Sequence, residues 1–251
     1  MPLVALQMIR WEKVVLKRSL DVCLSSLLLL AALPVLLVCA ILIKLDSEGS
    51  VFFRQARMGR GFRTFELIKL RTMDSATRGC RFTFGADPRV TRVGYWLRKF
   101  KFDELPQLWN VLRGDMSIVG PRPVVPELTL EFREEYEELL SVRPGLTDPA
   151  TLKYRDEAEM LGQFADPMEH FKTVVTPDKL RISRAYLRHA NVRTDLILIG
   201  KTAMSLLALL SAHGSGEAPA AAPEFLRRTS PSPAREVRRT PEAVAKSELS
   251  A

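Results

Sequence analysis

Cysteine is scarce in this chain, and the three residues that occur form no pattern. Cys23 and Cys39 lie inside a long apolar run near the N-terminus, and Cys80 stands alone. This number and spacing exclude a disulfide framework and a paired-cysteine metal site. We therefore expect the polar part of the chain to lie in a reducing, cytosolic compartment.

Internal repeats are absent from the sequence, which excludes a solenoid fold. Acidic residues are also too few to balance the basic ones. The chain has 37 Lys and Arg against 29 Asp and Glu, a formal net charge of +8. Such a surplus favours anionic partners, namely nucleic acid, acidic lipid headgroups or phosphorylated substrates.

Charge is absent altogether from residues 22–43, a run long enough to span a bilayer as a helix, which needs roughly 20 apolar residues. Basic residues flank both ends of the run: Lys13, Lys17 and Arg18 before it, and Lys44, Arg54, Arg57 and Arg60 after it. Because basic residues accumulate on the cytoplasmic side, a single span does not predict this symmetry, whereas a segment that returns through the same face does.

Pro34 lies in the middle of the run, where it removes one backbone hydrogen bond. From the residues alone, a re-entrant hairpin broken at Pro34 and a kinked spanning helix both stay open. A cleaved signal peptide is disfavoured, because no small-residue cleavage site follows the run.

Beyond Gly49, the pattern predicts two short strands and then mostly helices. The strands are residues 50–54 and 64–70. The helical segments are residues 89–101, a stripe at Leu105, Leu108, Trp109 and Leu112, the amphipathic residues 127–140, a helix that begins at Thr176 as its N-cap, and residues 195–210. The last of these is expected to pack on the domain or lie in the membrane interface. From Ala212 onward, few large apolar residues occur, and we expect a disordered tail.

The densest polar stretch contains an acidic pair, Asp103 and Glu104, with Pro106 shortly after it. Taken alone, this arrangement is a common helix start in which the aspartate is the N-cap. Basic residues surround the pair, however: Arg98, Lys99 and Lys101 precede it, and Arg113 and Arg122 follow it. A purely anion-binding surface gains nothing from two acids at its centre, so the pattern favours a chemical site.

An acidic pair among basic residues suits a metal-bound pyrophosphate. Carboxylates are ligands that Mg²⁺ prefers, and substrate phosphates complete its coordination. Aspartate is also an established covalent nucleophile in phosphoryl chemistry. Arg122, in a loop rich in glycine and proline, and Arg143, in an Arg–Pro–Gly turn, are candidate phosphate clamps because a guanidinium matches phosphate oxygens.

Four segments carry a resemblance to a known family. They are KRSLDVCLSSLLLLAALPVLL, GSVFFRQARMGRGFRTFELIKLRTM, LRKFKFDELPQLWNVLRGDMSIVGPRPV and VRPGLTDPATLKYRDE, in this order over roughly residues 17–195. This series resembles the bacterial sugar transferases, the monotopic polyprenyl-phosphate phosphoglycosyl transferases, in their minimal form. The resemblance implies an enzyme that moves a sugar-1-phosphate from a UDP-sugar to polyprenyl (undecaprenyl) phosphate and releases UMP, at the first membrane step of exopolysaccharide, O-antigen or glycoconjugate synthesis.

The resemblance also assigns roles to residues. Asp103 is the nucleophile that forms a covalent phosphosugar intermediate, and Glu104 is the Mg²⁺ ligand. Arg98, Arg122 and Arg143 are expected to bind phosphate or line the same site. Lys69 and Arg71 match a basic motif of the family at the same place. The family usually has serine before the proline of its membrane helix, where this chain has Leu33.

The implied architecture is an α+β fold, mainly helical, on the cytoplasmic face of the bacterial inner membrane. Residues 1–18 are predicted as a basic amphipathic segment, 19–46 as a re-entrant membrane helix broken at Pro34, 47–211 as a compact cytosolic catalytic domain with a small strand pair and amphipathic interfacial helices, and 212–251 as a disordered tail. The expected partners are the UDP-sugar, the polyprenyl phosphate and membrane lipids. Neither the sugar nor the oligomeric state follows from the sequence.

Two other classes of protein compete with this interpretation. A non-enzymatic, membrane-anchored basic module would use its arginines to bind acidic lipids or recruit partners. A nucleic-acid-binding protein is supported only by the net charge. It is disfavoured because no known nucleic-acid module is present and because the apolar run points to a membrane.

Overall fold

A computed structural model describes residues 3–74, 85 and 87–214 of the chain. Its helices are α1 (Leu3–Asp46), α2 (Arg92–Lys99), α3 (Gln107–Arg113), α4 (Pro126–Glu131), α5 (Arg133–Leu139), α6 (Pro149–Lys153), α7 (Glu157–Leu161), α8 (Pro167–His170), α9 (Thr176–His189) and α10 (Val192–Gly214). The strands are β1 (Phe52–Met58), β2 (Thr64–Leu70), β3 (Ser117–Val119) and β4 (Gly145–Thr147). The fold is mainly helical with a small strand pair, as predicted. The predicted tail began at residue 212, but residues 212–214 belong to α10, so that boundary is wrong; the remainder, 215–251, lies outside the described residues.

Two helices are long and apolar enough to cross a membrane, Val15–Asp46 within α1 and Val192–Ser211 within α10. α1 continues through Pro34, so the structure does not show the break that was predicted there. The proline removes one hydrogen bond, and the helix retains the bonds of the turns on either side. Five residues of α1 share a buried face while most of the side chains around them are exposed: Asp21, Ser25, Ala32, Cys39 and Ile43.

The predicted strand pair is confirmed as an antiparallel hairpin. β1 pairs with β2 from Phe52 opposite Leu70 to Met58 opposite Thr64. Asn110 of α3 joins this hairpin to the next layer, since its Nδ2 donates to the Glu66 carbonyl (2.7 Å) and its Oδ1 accepts from the Ile68 amide (3.1 Å). The asparagine is fully buried, so it holds α3 at a defined position beside β2.

A second strand pair was not predicted. β3 and β4 are parallel, with Ser117 opposite Gly145 and Val119 opposite Thr147. The turn that was predicted at Arg143–Pro144–Gly145 is therefore wrong, because Gly145 begins β4. The glycine is needed for a different reason: a Cβ at Gly145 would lie 2.1 Å from the Gly120 amide nitrogen. Three-residue strands carry too little pattern to be found in a sequence.

The helical predictions are mostly confirmed with shifted ends. The amphipathic stretch 127–140 is divided into α4 and α5 at Phe132, whose backbone is not helical. Thr176 is the first residue of α9 and makes no side-chain capping bond, so its prediction as the N-cap is wrong. Pro177 lies in the first turn of α9 as expected.

Gly94 sets the approach of α2 to the loop after β2, and its replacement tests this packing. A Cβ at Gly94 would lie 2.1 Å from the Thr72 carbonyl oxygen, so the backbone must shift. We expect Gly94→Ala to lower the free energy of unfolding by about 1–3 kcal/mol or more. Gly200→Ala in α10 is the control, since no atom lies within 4 Å of its Cβ; it should be neutral or stabilising, by up to about 1 kcal/mol. Equal melting temperatures for the two variants in detergent would contradict this account.

Candidate active site

The acidic pair lies on a tight turn between two helices. α2 ends at Lys99, Lys101 takes a left-handed backbone conformation (φ 59°, ψ 19°), and a 3₁₀ turn at Phe102–Glu104 carries both carboxylates. α3 begins four residues after the aspartate, with Pro106 before its first residue and no side-chain cap. Asp103 is therefore not the N-cap of α3, so the acidic pair is not explained as an ordinary helix start.

Glu104 is held by two cations. Lys69 Nζ donates to Oε1 (2.9 Å), and the Arg122 guanidinium donates to both carboxylate oxygens, from Nη2 to Oε1 and from Nη1 to Oε2 (3.2 Å). Burial raises the pKa of this carboxyl, but Arg122 and Lys69 outweigh burial and hold the pKa well below its usual range. The same contact raises the pKa of Arg122. Glu104 is thus ionised throughout the physiological range.

Asp103 has the opposite environment. It is 6% exposed, its Oδ2 lies 3.8 Å from Lys69 Nζ, and its Oδ1 is buried without a hydrogen-bond partner. Burial raises the pKa of Asp103, and the ammonium of Lys69 lowers it by less. Two adjacent carboxyls whose pKa values are moved apart are typical of a catalytic pair. A buried, unpartnered carboxylate oxygen is also costly, and a catalytic role or a bound ion is among the explanations for such a group.

Further cations surround the pair. Arg98 donates from Nε to Thr72 Oγ1 (2.8 Å); burial lowers the pKa of its guanidinium, and the charge of Asp103 acts in the other direction. Burial also lowers the pKa of Lys101, which interacts electrostatically with Glu104 and Asp103. A surplus of positive charge over the two carboxylates suits a polyanionic ligand such as a pyrophosphate.

Two of the predicted site residues lie elsewhere. Arg71 donates to the carbonyl oxygens of Ser47 (2.7 Å) and Glu48 at the C-terminal end of α1, where carbonyls lack helical partners. Arg143 donates from Nε to the Gly114 carbonyl (2.8 Å), at the far end of α3 from the acidic pair. The two ends of this seven-residue helix are about 10 Å apart. The structure therefore does not bring Arg71 or Arg143 to the carboxylates.

Sequence reasoning missed Arg57 as a site residue. Its guanidinium is partly buried near Arg122 and Glu104, and burial together with the charge of Arg122 lowers its pKa to about 10. Arg57 Nη1 donates to the Pro123 carbonyl at 3.4 Å, next to the loop that carries Arg122. In the sequence, Arg57 stood out only as one of the basic residues that follow the apolar run. That pattern does not indicate whether an arginine is buried or exposed.

The carboxylates fit one divalent cation that phosphate oxygens help to hold. Within the described residues, no three His, Cys, Asp or Glu side chains converge on one point. A carboxylate offers about four lone-pair positions. Hydrogen bonds from Lys69 and Arg122 occupy three of the lone-pair positions of Glu104, which leaves one position on Oε2. Asp103 Oδ1 accepts no hydrogen bond and is also available to a metal ion. This set suits Mg²⁺, which binds one or two carboxylates and keeps waters and phosphates as its other ligands.

Lys69 Nζ lies 3.8 Å from Asp103 Oδ2, where its charge should lower the pKa of Asp103, and a titration can test this. We expect the pKa of Asp103 to lie above the ordinary value of about 3.9 for aspartate. Because the Lys69 ammonium stabilises the ionised form, Lys69→Met should raise that pKa further, whereas Lys172→Met, which removes an exposed lysine paired with Glu131, should not change it. The measurement is a ¹³C NMR titration of metal-free, aspartate-labelled protein, with Asp103→Asn identifying the signal. An unchanged or lower pKa in Lys69→Met would contradict the assignment.

These features define a class of protein: a membrane-associating apolar helix beside a buried, cation-surrounded carboxylate pair that fits a phosphorylated ligand. The chain belongs to the bacterial sugar transferase family, whose family model matches residues 12–208. That match includes the acidic pair, β2 and the Arg122 loop.

Three curated relatives illustrate the family. An undecaprenyl-phosphate glucose phosphotransferase of Komagataeibacter xylinus is 49% identical over 140 residues, which cover 52% of this chain and 26% of the relative. A UDP-glucose:undecaprenyl-phosphate glucose-1-phosphate transferase of Caulobacter vibrioides is 46% identical over 142 residues, 55% of this chain and 53% of the relative. The exopolysaccharide production protein ExoY of Sinorhizobium fredii is 34% identical over 203 residues, 74% of this chain and 83% of the relative. The chain thus spans about a quarter to a half of the first two relatives.

Proposed function

We propose that this protein is a phosphoglycosyl transferase that moves a sugar-1-phosphate from a UDP-sugar to undecaprenyl phosphate and releases UMP. The names of the Komagataeibacter and Caulobacter relatives support the acceptor, and the Caulobacter name also supports the UDP-linked donor. The observation that carries the proposal is Asp103, whose buried and unpartnered Oδ1 lies among cations that can hold a pyrophosphate.

The reaction proceeds in two displacements. The Asp103 carboxylate attacks the β-phosphorus of the donor, the bond between that phosphorus and the bridging oxygen breaks, and UMP leaves with the electron pair. An oxygen of the polyprenyl phosphate then attacks the same phosphorus and releases the Asp103 carboxylate. The products are UMP and a polyprenyl diphosphosugar. A raised pKa makes the ionised Asp103 a better nucleophile once it has lost its proton.

The other residues align the phosphates and balance their charge. Arg122 and Lys69 hold Glu104 in a fixed position, and Arg98 adds a third cation close to Asp103. Glu104 is the residue that would hold Mg²⁺, which would neutralise charge on the phosphate oxygens. Phosphoryl transfer depends mainly on such alignment and charge neutralisation.

We further propose that α1 enters and leaves the membrane on the cytoplasmic face, as a re-entrant segment that bends at Pro34 while its turns stay helical, since proline is the usual cause of a sharp helix kink. Before the apolar run, Lys17 Nζ donates to Asp195 (2.5 Å), and Asp21 Oδ1 accepts from the Ile118 amide (3.0 Å). After the run, Asp46 Oδ2 accepts from the Val93 amide (3.0 Å). All three partners belong to one folded unit. A spanning helix would separate its two ends by about 30 Å of hydrocarbon, and a polar domain cannot reach both.

Cysteine labelling tests this topology. In a background without native cysteines, Val15→Cys and Glu48→Cys replace exposed residues at the two ends of the run. An impermeant maleimide should label both in inside-out vesicles and neither in intact cells. Labelling of the two positions from opposite sides would contradict the re-entrant path.

The function itself is tested with purified protein in lipid discs. We would follow Mg²⁺-dependent UMP release from a panel of UDP-sugars that begins with UDP-glucose, with and without undecaprenyl phosphate. Turnover with one sugar that requires both metal and lipid is expected, and it would identify the donor. If folded protein releases no UMP from any donor in the panel, the proposed reaction with these UDP-sugars is wrong, and either a rarer sugar or nucleotide donor or the membrane-anchored basic module takes its place.

A further inference from the structure

Lys101 has a backbone conformation that is unusual for a residue with a side chain. Its φ is +59°, and Phe62 is the one other non-glycine residue with positive φ in the described part of the chain. A Cβ is disfavoured in the left-handed region, so such a residue persists only where the surrounding structure holds it. Here the reversal lies two residues before Asp103, between α2 and the turn that carries the acidic pair.

The ammonium of Lys101 is near enough to the acidic pair to interact with it electrostatically, and in the described residues it forms no hydrogen bond to either carboxylate. Its ammonium interacts electrostatically with Glu104, Arg122, Asp103 and Lys69. Within the described residues, its one hydrogen bond is to the carbonyl oxygen of Arg155, at 3.3 Å. An ammonium has three N–H donors, so two stay available at the site.

The neighbouring cations differ from Lys101 in this respect. Lys69 donates to Glu104, and Arg122 donates to both oxygens of the same carboxylate. These two cations therefore neutralise charge that the protein itself supplies. Lys101 makes no hydrogen bond to a carboxylate in the described residues, so its ammonium can pair with an anionic ligand instead.

We propose that Lys101 binds a phosphate of the donor's pyrophosphate, with its left-handed backbone directing the ammonium into the site. This inference rests on the proposed function, since it assumes that the acidic pair receives a nucleotide sugar. On binding, the two free N–H donors contact phosphate oxygens, and the bond to the Arg155 carbonyl is kept or exchanged. The alternative ligand, the phosphate of the lipid acceptor, is an outcome of the test.

Four variants separate charge, backbone and position. Lys101→Gln removes the charge, Lys101→Arg keeps it, and Lys101→Gly removes the side chain while it relieves the strain of positive φ. Lys99→Gln is the matched control, since the Lys99 ammonium lies over the rings of Tyr95 and Trp96, 5.7 and 5.2 Å from their centroids. The readouts are the dissociation constant of inorganic pyrophosphate by calorimetry, and separate KM values for the UDP-sugar and for undecaprenyl phosphate.

We expect Lys101→Gln and Lys101→Gly to weaken pyrophosphate binding and raise the donor KM by roughly ten-fold or more, the effect of losing a charged hydrogen bond. Lys101→Arg should recover most of the loss, and Lys99→Gln should match the wild type. Unchanged pyrophosphate binding in Lys101→Gln and Lys101→Gly would overturn the proposal, as would a rise confined to the acceptor KM. A wild-type protein that releases no UMP refutes the proposed function, whereas pyrophosphate binding still decides the role of Lys101.

Discussion

Asp103→Asn is expected to abolish sugar-phosphate transfer while the protein stays folded and membrane-bound. Loss of a covalent nucleophile reduces turnover on the order of 10⁴- to 10⁶-fold. The amide is nearly the same size as the carboxylate, and it removes a buried charge whose Oδ1 has no hydrogen-bond partner. The fold should therefore not be destabilised, because residues of this kind serve function at a cost in stability.

The covalent step is tested directly by intact-protein mass spectrometry. Wild-type protein incubated with its UDP-sugar and without acceptor should gain the mass of one sugar phosphate, and Asp103→Asn should gain none. Glu131→Gln is the control, because Glu131 is 46% exposed and pairs with Lys172 at the surface; it should behave as the wild type. Full activity of Asp103→Asn would refute the assignment of the nucleophile, and a label on another residue would place the intermediate elsewhere.

Arg122→Met is expected to lower kcat/KM by about 10²-fold, because Glu104 loses the group that fixes its position and a small displacement of a site residue has an effect of this size. Arg122 binds both oxygens of Glu104 and lies in the same cation cluster as Lys69. Without it, Glu104, whose side chain is 16% exposed, keeps one cationic partner, and the loss of stability should be smaller than the roughly 3–5 kcal/mol of a fully buried ion pair, because the Arg122 side chain is 34% exposed. We therefore expect a lower melting temperature as well as lower activity.

Arg122→Lys distinguishes the charge from the geometry of the contact. A lysine keeps the positive charge but cannot donate to both carboxylate oxygens in one plane. Compared with Arg122→Met, the Arg122→Lys protein should therefore recover most of its melting temperature but only part of its kcat/KM. Arg113→Met is the control, since the Arg113 side chain is 53% exposed. Wild-type kcat/KM in Arg122→Met would show that Glu104 does not depend on this arginine.

The elements that the sequence predicted correctly are those with a local pattern. β2 alternates between faces, and the acidic pair and its basic neighbours are contiguous in the chain. Glycine residues were harder to interpret: Gly145 was expected in a turn, but its role is the close approach to Gly120, which lies far from it in the sequence. Nothing around Gly145 in the sequence indicates that approach.

The sequence by itself determined the family, the apolar helix and the acidic pair, because each is a property of neighbouring residues. Which cations serve the pair was decided by tertiary structure alone. Lys69 and Arg122 meet Glu104 across 35 and 18 residues of chain, whereas Arg71, two positions from Lys69, holds the end of α1. The neighbours of a lysine or arginine in the sequence do not indicate its role. Whether one binds a substrate, pairs with a carboxylate or caps a helix depends on which distant carbonyl or carboxylate the fold brings within hydrogen-bonding distance.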